Sequence, residues 1–291
     1  MRISNSMITN KVLANLNNNS EKLNELYEQA VSGKLFVNPS DDASGFIYSM
    51  KLDSWISNNE QYQSNIESCN SWLSDTDDAL DSAGDILEEL EDLGVQAAND
   101  GTLTEDEREN ILVEVEELEK ELINIANTQQ GDSYLFSGTA TTTESFDEDG
   151  EYQGDYNSIV RQVNSSSNLE ININGQEAFA DAFEAFHSLE DALEAGDAEA
   201  LSTTVLSNIS EATNTINTCR AEVGAKENRL EFTQKRLENE NTSLNKILSN
   251  NEDIDLATAY TNYATQQYVY EAALSVSSTI LQTSLVNFVS S

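Results

Sequence analysis

The sequence is poor in the residues that carry chemistry. His187 is the one histidine among 291 residues, and Cys69 and Cys219 are the two cysteines. Each cysteine stands alone, so neither a CxxC redox pair nor a zinc site can be assembled from them. Small buried hydrophobes or a bridge between the two are the readings open to them. No GxxxxGK[ST], GxSxG or HExxH occurs, and His187 in EAFHSLEDAL reads as an ordinary helix residue. We therefore expect no enzyme, no catalytic residues, no metal and no cofactor. The run SFDEDGEY puts Asp147, Asp149 and Gly150 at positions three, five and six of a calcium loop. Ser145 and Tyr156 would fill the first and twelfth positions, so the strongest carboxylates are missing.

Positive charge is scarce too, with 14 Lys and Arg against 53 Asp and Glu and a net charge of −39. A phosphate backbone needs clustered cations, so nucleic acid is excluded as a partner. The first residues, MRISNSMITNKVLANLNNN, lack the apolar run and cleavage site of a secretory signal. Residues 272–291 carry no charge, but ten of them are polar, too many for a bilayer span. A single proline, Pro39, and 12 glycines leave room for long uninterrupted helices.

Such helices are what the apolar spacing describes. From Tyr48 the positions Leu52, Trp55, Tyr62, Ile66, Cys69, Leu73, Thr76, Leu80, Ala83, Leu87 and Leu90 recur at alternating four and three, broken once at Asn59. This heptad stripe predicts a helix of roughly 65 Å. Thr104 and Glu107 form a capping-box pattern that starts a second helix through Ile111, Val115, Leu118, Leu122 and Ile125. A returning stripe runs Ile209, Ala212, Ile216, Cys219, Val223, Leu230, Thr233, Leu237, Leu244 and Ile247, and could pack against the first.

Asp253 and Asp255 would cap a last helix carrying Leu256, Tyr260, Tyr263, Tyr270, Leu274, Leu281, Leu285 and Phe288. Its counterpart early in the chain bears Ile8, Val12, Leu16, Leu23, Leu26 and Ala30, with Asn19 in the missing slot. Between the helices, Ile159, Arg161 and Val163, then Leu169, Ile171 and Ile173, alternate as strands do, and Asn174-Gly175 comes next as a favoured hairpin turn. Acid is concentrated in the middle of the chain, as a solvated face would have it.

The expected fold is mainly α with a small β insert, a long antiparallel helical bundle or coiled coil with amphipathic helices at both termini. Residues 1–45 would hold the first terminal helix and a connecting segment, and 46–130 a helical hairpin. Residues 131–200 would form a β-rich insert, 201–250 a returning helix, and 251–291 the second terminal helix. A coiled-coil signalling protein or scaffold shares the heptads, but such hairpins have a helical tip where this chain places strands. A shell protein that binds ions through the acidic face is a third class.

Particular motifs resemble the flagellin superfamily. They are MRISNSM, SGKLFVNPSDDASG (Ser32 to Gly45), YLFSGT (Tyr134 to Thr139), YQGD (Tyr152 to Asp155) and RAEVGAKENRLE (Arg220 to Glu231). Pro39 and YLFSGT lean toward its hook–filament junction members, whereas Ala43-Ser44-Gly45 leans toward filament flagellins. The resemblance implies a flagellin-like structural protein, exported unfolded through the flagellar type III channel with an export chaperone, and self-assembling in the extracellular flagellum. For a junction member its partners would be the first flagellar hook-associated protein, flagellin and copies of itself in a ring, with no membrane contact. The assembly interface would lie along Ile3, Met7, Ile8, Val12, Leu16, Leu23 and Leu26, and along Leu256, Tyr263, Tyr270, Leu274, Leu281, Leu285 and Phe288. The connecting segment would comprise Lys34, Asn38, Pro39, Ser40, Asp41 and Asp42, with Pro39 breaking the helix and Ser40 or Asp41 capping the next. A terminal helix with one apolar stripe cannot bury it alone, so pairing with neighbouring copies would couple folding to assembly.

Overall fold

The structure is a computed structural model that describes residues 5–99 and 104–289, without the side chains of residues 5, 6, 8, 99, 198 and 280–289. The helices are α1 (Asn5–Ser32), α2 (Ala43–Asn99), α3 (Glu105–Ala126), α4 (Gly175–Ala195), the short α5 (Ala198–Ala200), α6 (Leu206–Glu252) and α7 (Leu256–Val289). A π-helical turn, Leu201–Val205, leads into α6. Two antiparallel pairs interrupt them, β1 (Gln129–Gln130) with β2 (Ser133–Tyr134), and β3 (Val160–Asn164) with β4 (Ser167–Glu170). The chain divides into one compact unit made of residues 1–58 and 240–291 and a second made of residues 59–239.

The second unit holds the core. From Ile66 to Leu90 the α2 stripe is buried as its spacing required, and on α6 Ile209, Ala212, Ile216, Val223, Leu230 and Leu237 join the same cluster. The two helices run antiparallel. A methyl placed at Gly94 of α2 would stand 3.3 Å from Ile209, and further down Arg220 of α6 reaches Asp77 at 3.1 Å and Asp81 at 2.5 Å. The α3 start has its capping box, with the Thr104 amide donating to the Glu107 carboxylate at 2.9 Å. Cys69 is buried, Cys219 half-buried, and both are free thiols. Burial pushes the Cys219 thiol up to about 11, helped by Glu222, which keeps it protonated and inert.

Residues 131–200 correct the expectation. Asn174-Gly175 is not a hairpin turn: the Asn174 side chain accepts from the Gln176 amide at 2.9 Å and starts the 21-residue helix α4. The β3–β4 turn falls at Ser165 and Ser166 instead, and Gly175–Ala195 at the end of the expected β-rich segment is helix. The alternation holds in part: Val163, Leu169, Ile171 and Ile173 are buried, but Arg161 is exposed and Asn172 is buried between the two isoleucines. The hairpin is tied to α2 by Asn65, which donates to the Gln162 carbonyl at 2.8 Å, and to α6 by Arg229, which donates to Ser167 at 2.8 Å and to the Asn168 carbonyl at 3.2 Å.

YLFSGT and YQGD form a single lock. The Asp155 carboxylate accepts from the Thr139 amide at 2.9 Å, the Thr139 hydroxyl at 2.5 Å and the Asn157 amide at 2.9 Å. The Tyr152 hydroxyl lies 2.8 Å from the Asp155 carbonyl and 3.1 Å from that of Phe136. Gly138 is obligatory here, because its φ is +71° and a Cβ would stand 2.2 Å from the Asp155 carbonyl oxygen. Behind the lock Phe136 meets Phe179 edge-on at 4.9 Å, and Phe146 lies 5.1 Å from Phe183, so α4 supplies the floor of the insert.

The hydrogen bonds from Thr139 hold the Asp155 carboxyl down at about 2. A carboxyl depressed in the folded state stabilises above its unfolded value and loses that contribution as pH falls through the folded one. The insert should therefore weaken between pH 3.8 and about 2 in the wild type. In Asp155→Asn that acid-dependent step should be missing, with lower stability already at pH 7. Tyrosine circular dichroism across an acid titration measures both.

Candidate assembly surface and its clasp

The residues expected to assemble lie in the first unit, on α1 and α7. The two helices run antiparallel: the ring of Tyr27 lies 5.8 Å from that of Tyr263, and the Asn19 carbonyl accepts from Gln266 at 3.4 Å. On α1 the expected stripe is the one that turns inward, with Val12, Leu16, Leu23 and Leu26 half-buried. Met7 is exposed, Ile3 lies outside the described residues, and so does the side chain of Ile8.

On α7 the seam against α1 takes a different set of positions from the expected assembly stripe. Among the described side chains the positions with least exposure are Ala259, Tyr263, Ala264, Gln266, Tyr270, Ala273 and Ser277, a four-three alternation of small and polar-tipped side chains with Ala264 beside it. Tyr263 and Tyr270 belong to it, but Leu256 is 57% and Leu274 43% exposed. The cause is that α7 carries apolar or small residues on more than one side, so its sequence offers more than one candidate stripe. Small side chains at the seam let the two backbones approach, and the larger Tyr260, Tyr268 and Val276 are left outside. Leu281, Leu285 and Phe288 have side chains beyond those described. On α2, Trp55 departs from the α2 stripe in the same way and is exposed.

A clasp joins the two breaks in the helices. Gly33 ends α1 in the left-handed region, with φ +73°. Lys34 then pairs with Asp253 as an isolated antiparallel bridge, in which the Leu35 amide donates to the Glu252 carbonyl at 2.5 Å and the Ile254 amide to the Gly33 carbonyl at 2.9 Å. Over it the Lys34 ammonium meets the mostly buried Glu252 carboxylate at 2.7 Å, a contact that raises the lysine pKa. Asp253 is used in this bridge, and Asp255 alone caps α7, accepting from the Ala257 amide at 3.1 Å.

Through Asn38-Pro39-Ser40-Asp41 the chain makes a turn closed by the Asp41 amide on the Asn38 carbonyl at 3.0 Å. The Asp41 carboxylate faces back into that turn and accepts from the Asn38 amide at 2.9 Å, so it cannot cap α2. Asp42 does so, accepting from the Ser44 amide at 3.0 Å and the Gly45 amide at 3.1 Å. These amides hold both carboxyls below the ordinary range. Gly45 fits closely, since a Cβ would stand 2.8 Å from the buried ring of Phe36. Asn251 donates to the Gly45 carbonyl at 3.0 Å and to Ser49 at 2.8 Å, tying the end of α6 to the start of α2.

The first unit thus offers a helix pair, a backbone clasp and exposed apolar surface. Sequence comparison names the family. The profile of the bacterial flagellin N-terminal helical region matches residues 3–141, and that of the C-terminal helical region matches residues 206–289. The chain belongs to the bacterial flagellin family; it is a structural protein of the flagellum and not an enzyme.

The flagellar hook-associated protein 3 of Escherichia coli strain K12 is 30% identical over 181 residues, which take in 62% of this chain and 57% of that protein. The flagellin of Bacillus subtilis strain 168 is 25% identical over 290 residues, or 94% of both chains. The crystal structure of Bacillus cereus FlgL superimposes with a TM-score of 0.60 at 27% identity, over 68% of this chain and 98% of that one.

Lys34→Met should leave the Glu252 carboxylate at the clasp without its cation. The half-exposed partner limits the loss to about 1 kcal/mol. Urea denaturation of the variant against wild type measures it.

Proposed function

We propose that this chain forms the junction between the hook and the filament of the bacterial flagellum. It would meet the first hook-associated protein on one side and flagellin on the other, within a ring of its own copies outside the cell. The observation that carries assembly is the apolar surface of α7, of which α1 covers one side. Leu256, Tyr260, Tyr268 and Val276 remain exposed there, and full burial against a neighbouring copy would contribute up to roughly 1.5–3 kcal/mol each for Leu256 and Val276. The similarity to hook-associated protein 3 and to FlgL supports the junction position.

In this reading residues 1–45 and 251–291 form the inner assembling part. Residues 46–130 and 201–250 form the helices that carry the insert 131–200 outward. Among the described side chains, α1 has none fully buried and α7 has Ala259 and Ser277. So little burial leaves both helices marginal before assembly, which suits export as an unfolded chain held by a chaperone.

Among the described residues no helix is long and apolar enough to cross a membrane. A filament subunit is the second reading, favoured by the match to a flagellin over 94% of both chains.

Removing residues 256–291 separates the two. The core cluster of the second unit contains no residue beyond Leu237, so the truncated chain should still fold there. Cells carrying only the truncated chain should release flagellin into the medium and build no filaments. Filament growth with the truncated chain contradicts assembly through α7. Bare hooks with no flagellin in the medium indicate that this chain is itself the filament subunit.

A further inference from the structure

Five of the 14 basic residues, Arg220, Lys226, Arg229, Lys235 and Arg236, fall within one stretch of α6. In its midst is Phe232, 71% exposed. On a helix the neighbours of residue i are those at three and four positions either side. For Phe232 they are Asn228, Arg229, Lys235 and Arg236, so an exposed ring sits inside a rim of three cations. Arg229 is already oriented by its hydrogen bonds to the β3–β4 hairpin. Lys235 pairs with Glu231 at 2.5 Å.

The same unit carries the opposite pattern on α3. Val113 is 55% exposed, and its neighbours at the same spacings are Glu109, Asn110, Glu116 and Glu117. Lys120 pairs there with Glu117 at 2.6 Å, mirroring the Lys235–Glu231 pair. Both patches are exposed in one chain, so they do not satisfy each other within it.

We propose that the Phe232 patch of α6 docks onto the Val113 patch of α3 in a second copy of this chain. Copies with a net charge of −39 repel over most of their surface, so a contact between them is favoured where cations gather. An apolar centre with a charged rim is the arrangement of a specific interface, and the two rims are opposite in sign. The contact joins two different patches, so each copy keeps one of each kind free and the series can close into a ring or extend. The proposal rests on the reading that copies of the chain assemble, and adds a contact away from α1 and α7.

The test uses the purified full chain with a photoreactive phenylalanine analogue at position 232. It is run at about 1 mM, where even a contact of millimolar affinity is substantially populated. Irradiation should give a crosslinked dimer whose joined peptide contains residues 109–117 of the other copy. Lys235→Glu with Arg236→Glu should cut the yield about tenfold, and adding Glu116→Lys with Glu117→Lys should restore it. Circular dichroism checks that these exposed changes leave the helices intact. The absence of a dimer, a crosslink mapping to another segment, or a yield indifferent to the charge reversals would overturn the proposal. None of these outcomes depends on whether the chain enters the flagellum, which the truncation reads separately.

Discussion

A helix that carries apolar side chains on more than one side and is covered on one is the constraint behind this molecule. α7 presents Leu256, Tyr260, Tyr268, Leu274 and Val276 to solvent even when paired with α1. Its seam against α1 uses the small Ala259, Ala273 and Ser277 beside Tyr263, Gln266 and Tyr270, which stay only half-buried. The pair therefore gains less from its own packing than its sequence could yield in full burial. Neighbouring copies provide the missing surface in the proposed assembly. Folding and assembly then draw on the same apolar area.

The rest of the chain complements that incomplete pair. The clasp of Lys34, Glu252 and Asp253 fixes where α1 stops and α7 starts, so the helices enter their pairing in a defined register. The second unit has a continuous core drawn from α2, α3, α4, α6 and the strands. Acidity is tolerated there because the charges lie on faces that the heptad stripes leave outside. Half-buried carboxylates mark where this tolerance is strained. Burial raises the pKa of both Glu119 and Glu190 at the contact of α3 with α4, where His187 offers its ring nitrogen to Glu119 at 3.2 Å.

Much of this was legible in the residues. The α2 and α6 stripes are buried between Ile66 and Leu90 and between Ile209 and Leu244, because a helix surrounded by partners must repeat its apolar residues every three or four, while Tyr48, Trp55 and Ile247 beyond those stretches are exposed. Thr104 and Glu107 announced α3 through a local hydrogen-bond pattern. The same signal was present at Asn174 with Glu177, ahead of Phe179, Phe183, Phe186 and Leu189, and it marks α4. There the Asn-Gly pair reads equally well as a turn, and only the apolar spacing beyond it decides. Asp41 and Asp42 are adjacent carboxylates of equal capping ability, separated only by the turn that Pro39 imposes on the first. For α7 periodicity could not select the seam, since apolar residues on more than one side fit several stripes. The glycines of the insert lock are meaningful only with Asp155 and Phe136 in place.

The most direct measurement is amide hydrogen exchange of α1 and α7 in the dilute monomer and in isolated flagella, read against the core of α2. The account predicts rapid exchange along both helices in the monomer, slow exchange across the buried stretch of α2, and strong protection of all three in the assembly. Protection of α1 and α7 in the monomer equal to that of the α2 core would contradict it.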